Sequence, residues 1–166
     1  MKKAFMKRHL LTTACISTLI FSSTAPVWAA CSNSSLKGDY AYSEQGSTLF
    51  GSQAIPIAEV GIISADGSSP VGHFTITATA NWGNQSIGVQ MPLKIVFTTD
   101  GPDEGYKVQP DCTGTVTFSV TAYDAMGNIF IPKTSGRTAA FVVNKDKIQW
   151  IVTSQGTVVS GTGEKK

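Results

Sequence analysis

From Asp111 to Thr121 the sequence D-C-T-G-T-V-T-F-S-V-T puts Val116, Phe118 and Val120 on one parity and Thr115, Thr117, Ser119 and Thr121 on the other. A period of two separates the faces of an extended chain, so this stretch predicts a half-buried β-strand. The alternation recurs in Val71 to Ala80, where Phe74, Ile76, Ala78 and Ala80 oppose His73, Thr75, Thr77 and Thr79. It recurs again in Ser86 to Thr99, where Val89, Met91, Leu93, Ile95 and Phe97 share a parity and Pro92 suggests a break. Further strand candidates are Gly38 to Gln45, Ala54 to Ser64, Tyr106 to Val108, Ile129 to Ile131, Arg137 to Val143, Lys147 to Thr153 and Thr157 to Thr162. Gly46 to Gln53 and Pro132 to Gly136 are expected to be loops. Asp66-Gly67 is a tight-hairpin signal, and Asn144-Lys145-Asp146 joins another pair of strands. Pro56 cannot donate to a ladder, so it predicts an edge or a bulge at its end of the second strand.

No stretch after residue 29 repeats apolar residues at the i, i+3, i+4, i+7 spacing of an amphipathic helix. All 16 glycines fall after residue 29, which fits frequent turns. An all-β domain of about eight to ten short strands must close as a barrel or stack as a sandwich. Mostly short connections favour a single antiparallel barrel, with the β-sandwich as the alternative.

The first 29 residues read differently. A basic start (Lys2, Lys3, Lys7, Arg8), an apolar stretch from Leu10 to Phe21 and a small-residue exit make a signal peptide. The apolar part is well short of the roughly 20 residues that cross a bilayer. Cleavage after Ala29 puts Val27 and Ala29 at the positions that want small side chains. The mature domain then runs from Ala30 to Lys166, the size of one domain. The protein is expected to be exported, to the periplasm or beyond the cell.

The leader also changes the charge. Of 13 basic and 11 acidic residues, it takes four basic and no acidic ones, leaving nine against 11, a net charge of −2. Apart from Lys165-Lys166 there is no basic cluster, so the electrostatic footprint of a nucleic-acid binder is missing. Cys15 leaves with the leader, so Cys31 and Cys112 remain in a disulfide-permissive setting and pairing is the economical reading. Ala29-Ala30-Cys31 also resembles the end of a bacterial lipoprotein signal, which would make Cys31 a lipid anchor. Trp28 stands where such signals carry a modest aliphatic residue, and lipidation would leave Cys112 an odd thiol. Two thiols and one histidine do not make a set of zinc ligands, and no cofactor is implied.

Several blocks together carry a resemblance. They are Cys31 near the mature start, Leu36-Lys37-Gly38-Asp39-Tyr40, Val60-Gly61 with Asp66-Gly67, Tyr106 to Thr117 (Y-x-V-x-x-D-C-T-G-T-V-T), and the closing Gly156 to Thr162. The chain resembles a family of small exported bacterial proteins of uncharacterised activity. That resemblance implies a small antiparallel barrel similar to the calycin or allene-oxide-cyclase-like kind, which often holds an apolar ligand. Fold does not fix function. Glu59 departs from the pattern, where a small or apolar residue is expected.

The residues offer little catalytic chemistry. His73 is the only histidine after the leader and its parity puts it outward with the threonines, a solvent-facing position. No G-x-S-x-G is present, so a hydrolase triad has no support. Asp100, Asp103 and Glu104 lack calcium-loop spacing and read as a solvated turn. Glu59 is expected to face outward; facing inward, it would orient a ligand at a barrel mouth with Tyr40 or Tyr42. Trp150 shares parity with Ile148 and Val152 and is expected in the core, whereas Trp82, in an N-W-G-N turn, is expected to be more exposed and able to cap such a mouth.

Two functions follow from this. The first is a soluble barrel binding a small apolar molecule, with Tyr40, Tyr42, Glu59, His73 and Trp82 as candidate site residues. The second is a secreted or surface module that meets a protein or a glycan. A cavity lined by the apolar parity separates them. An outer-membrane barrel would show the same alternation with its apolar face toward lipid, but expects strands longer than about seven residues.

Overall fold

The computed structural model describes residues 30–50, 52–82 and 92–166, so the expectations for the leader, its cleavage and residues 86–91 lie outside the described residues. Among the described residues nine strands form one antiparallel sheet: β1 (Gly38–Phe50), β2 (Gln53–Ala65), β3 (Phe74–Trp82), β4 (Leu93–Thr98), β5 (Gly105–Val108), β6 (Thr113–Tyr123), β7 (Ile129–Asn144), β8 (Lys147–Val152) and β9 (Thr157–Lys165). Their order is β4-β3-β2-β1-β9-β8-β7-β6-β5, and a further pairing of β4 with β6 closes eight of them into a barrel. The closure uses β6 in two halves. Its first half, Gly114 to Thr117, pairs with β5, and its second, Ser119 to Tyr123, pairs with β4. β5 is therefore the ninth strand, outside the closed ring.

The apolar parity faces inward throughout. Tyr40, Ile63, Ala78, Ile95, Phe118, Phe141 and Val159 are all buried in one continuous core, while Thr75, Thr77, Thr79, Thr115 and Gln149 are exposed. Among the described residues no helix is long and apolar enough to cross a membrane. A lipid-facing barrel carries the opposite arrangement, apolar outside and polar inside. Strand length does not make that distinction, because β1, β2 and β7 have 13, 13 and 16 residues rather than the short runs expected.

Three expectations need correction. Gly46 to Gln53 is no loop: β1 continues to Phe50 and pairs with β2 down to Phe50↔Gln53, because Ile55 and Ile57 can be buried only if β1 extends alongside them. Pro132 to Gly136 lies within β7, which pairs with β6 through register shifts between Phe118 and Tyr123. Bulges absorb a proline that gives no N–H and a glycine at φ 76°. Asp66-Gly67 opens a longer connection to β3, held by Asp66, whose Oδ1 accepts from Ser68 N (3.0 Å) and His73 N (2.8 Å).

One end of the barrel is sealed by the segment that precedes β1. A 3₁₀ turn, Asn33–Leu36, drives Leu36 into the core. The buried Asn33 amide donates to Ser68 O at 2.7 Å and its Oδ1 accepts from Val108 N at 2.8 Å, fastening the turn to two neighbouring segments. Cys31 and Cys112 form the expected disulfide, with Cα atoms 5.0 Å apart. Cys31 N also donates to Pro110 O at 3.2 Å. At the other end the described residues leave the interior open.

Candidate functional site

A single cross-barrel row organises the interior. In ladder register it runs Ala80 on β3, Glu59 on β2, Glu44 on β1, Gly161 on β9, Trp150 on β8 and Phe141 on β7. Glu44 and Glu59 are direct partners across β1 and β2. Glu59 follows Ile55 and Ile57 on the inward parity and is only 4 % exposed, contrary to the outward position expected of a charge in that run. Parity fixes this: a strand whose isoleucines fill the core at two-residue spacing carries every second residue to the same face, so Glu59 follows Ile55 and Ile57 inward while Pro56 and Ala58 face out.

Trp150 reaches Glu44 because Gly161 lies between them without a side chain. A Cβ at Gly161 would overlap the Trp150 indole. The indole therefore lies across β9, and its Nε1 donates to Glu44 Oε2 at 2.8 Å. Tyr42, the inward residue before Glu44, stands edge-on to Trp150 with ring centroids 5.5 Å apart. Its position uses the same device, since a Cβ at Gly61 would crowd the Tyr42 ring.

The pair sits in a protonation state unlike that of surface carboxyls. Burial, followed by the Glu44 charge beside it, pushes Glu59 up to about 9. Glu44 is raised by burial and held down in part by the Trp150 bond. Burial and the two carboxylates likewise push the Tyr42 hydroxyl up. At neutral pH the two carboxyls thus keep a proton between them, since two like charges side by side in a poorly hydrated site cannot both ionise freely.

Hydrogen bonding here is incomplete. Glu59 Oε2, Tyr42 Oη and Trp82 Nε1 are buried without a hydrogen-bond partner among the described residues. Such groups are uncommon in folded proteins, and each costs about 1–3 kcal/mol unless a water or ligand satisfies it. Glu44, Glu59 and Trp82 line a cavity of about 430 Å³ in the open half of the barrel, with Ile57, Ile95, Phe97 and Val159 among its apolar walls. Arg137 lines it too and forms no ion pair among the described residues. Deeper in, toward Leu36 and Tyr106, the space shrinks to about 70 Å³.

The sequence-derived candidates divide accordingly. Tyr42, Glu59 and Trp82 converge on the interior; Trp82 is 6 % exposed at the end of β3, edge-on to Phe130, not in an exposed turn. Tyr40 is fully buried toward the sealed end, its hydroxyl 3.5 Å from Ser35 O. His73 is exposed and away from this cavity, with Nδ1 2.7 Å from Thr99 O. Trp150 packs against the core as expected. Glu104 is no solvated turn residue: it is buried, accepting from Ser119 Oγ and from Gly101 N at 3.0 Å.

Comparison with family models, curated proteins and solved structures finds no match. The site therefore has to be read from its own chemistry.

Sequence reasoning missed Glu44, Trp150 as its partner, and Arg137. The signal for Glu44 was available, because it continues the parity of Tyr40 and Tyr42, but the strand was expected to end one residue later, where a polar side chain needs no partner. No group of three or more metal-ligating side chains exists among the described residues. Outside the barrel, a shallow saddle over β8, β9, β1, β2 and β3 is lined by polar side chains such as Ser43, Gln45, Thr79, Gln149 and Ser160.

Proposed function

We propose that the protein is an exported, soluble barrel that binds a small, mainly apolar molecule in the open half of its interior. The observation that carries this reading is the cavity of about 430 Å³ walled by the apolar parity, with buried polar groups left unpartnered at its inner edge. Ligand sites are concave, largely apolar and marked by a few convergent polar groups. A filled interior would have favoured the interaction-module reading, and the described residues leave this space between them. The leader and the Cys31–Cys112 bridge support export to an oxidising compartment. The reading also accords with the ligand-holding barrels that the sequence resembles.

Native mass spectrometry of protein purified from its own compartment without detergent tests it. A reproducible added mass that is lost on unfolding is expected. Protein that carries no added mass and does not enhance the fluorescence of N-phenyl-1-naphthylamine, a neutral apolar probe, would rule the reading out.

A further inference from the structure

We infer that the molecule held in this cavity is an organic cation, an apolar body bearing a protonated amine that docks on the Glu44 and Glu59 carboxyls. The inference rests on the cavity reading above and adds the chemistry of the ligand's polar end.

Two carboxyls stand side by side at the cavity wall, and no ion pair compensates either of them among the described residues. Trp150 N–H donates to Glu44, whose other hydrogen-bonding neighbour is Glu59 itself, and among the described residues Glu59 Oε2 has no donor. A carboxyl so buried needs a donor, and a cation supplies both the donor and the countercharge. The surrounding walls suit one. Trp82, Phe97 and Phe118 present aromatic rings to the same space, and aromatic faces attract ammonium groups most strongly where water is excluded. Tyr42, with an unpartnered hydroxyl, adds an acceptor toward the sealed end.

The titratable and charged groups facing the pair are few. β1 contributes Tyr42 beside Glu44, and β7 contributes Arg137 on the cavity lining. β3, β4, β8 and β9 contribute Trp82, Ile95, Val152 and Val159, none of which titrates. Without ligand the pair retains a proton, and burial with the neighbouring carboxyl explains why. An ammonium group takes the place of that proton, so binding releases it and tightens as pH rises toward about 9. Arg137 sets up the opposite possibility: an anionic ligand would choose the guanidinium and avoid the carboxyls.

A matched series separates these outcomes. The disulfide-bonded protein is titrated with 4-phenylbutylamine, 4-phenylbutanol and 4-phenylbutanoate, each competing against N-phenyl-1-naphthylamine. The amine is expected to bind at least about tenfold more tightly than the alcohol, the margin a charge-assisted bond provides. Glu59→Gln is expected to abolish that preference, the amine then binding no more tightly than the alcohol to the same variant. Alcohol or carboxylate binding as tightly as the amine overturns the inference and leaves the cavity reading intact. If neither the probe nor any of the three binds, the cavity reading falls and takes the inference with it. Should Glu59→Gln fail to fold, Glu44→Gln serves in its place, and the comparison in the unmutated protein decides the matter alone.

Discussion

Glu44 and Glu59 face each other across the β1–β2 ladder with both carboxyls inside the barrel, and Trp150, reaching over Gly161, donates to the first of them at 2.8 Å. Like charges opposite one another in a sheet destabilise it. The barrel tolerates this pair because one proton stays with it and an indole N–H satisfies part of the rest.

Stability should therefore fall as pH rises. Glu59 is raised from an ordinary 4.5 to about 9, so between those values the folded protein binds more protons than the unfolded chain. Unfolding free energy then declines with pH across that window, by on the order of a few kcal/mol in total. The contribution is complete below about 4.5 and lost above about 9. Urea unfolding at a series of pH values measures it, and Glu59→Gln should flatten the slope. A slope that is positive through this range would contradict the assignment.

Gly161→Ala should destabilise by about 1–3 kcal/mol, the usual cost of overpacking. The added methyl overlaps the Trp150 indole, so the indole must move and release Glu44. Tryptophan emission should change together with the denaturation midpoint. An unaltered spectrum would mean that Trp150 does not depend on this gap.

Val159→Phe should fill the cavity without unfolding the protein. Val159 is buried and lines the open half of the interior. Binding of N-phenyl-1-naphthylamine should be lost, at a cost in stability of no more than about 1–3 kcal/mol, the usual range for added bulk. Retained binding would move the site out of the barrel, to the outer saddle.

Replacing both Cys31 and Cys112 by Ser should cost roughly 4 kcal/mol in the chain-entropy picture, given their separation of 81 residues. Thermal unfolding of the double variant, and of the unmutated protein under reducing conditions, should agree. The loss should appear first at the sealed end, as faster amide exchange in Asn33–Leu36.

Much of the fold was legible because strand parity is local. The alternation in Phe74 to Ala80 and Val116 to Val120 named inward residues that the barrel buries or packs against its core. With Cys15 assigned to the expected leader, Cys31 and Cys112 left one pairing to make. A hairpin around Asn144-Lys145-Asp146 was expected, and the structure has one, with Asn144 taken into β7 and only Lys145-Asp146 left as the connection. Loops that the structure converts to strand, Gly46 to Phe50 and Pro132 to Gly136, were misread because small and polar residues there look like turn formers until a long partner strand lies beside them.

The candidate site was legible only in part. Glu59 lay in an apolar run, and a charge there is normally outward; what turned it inward was the register that Ile55, Ile57 and Ile63 impose on β2. Its partnership with Glu44 and the Trp150 bond join residues 15 and 106 positions apart, through pairings of β1 with β2 and of β9 with both β1 and β8. The amino-acid order alone thus determined which side chains can share a face, since that depends only on the pleat. Which strands lie side by side, and hence which two carboxyls meet inside the barrel, was decided by the closure of the sheet, a property of the whole chain that no local pattern contains.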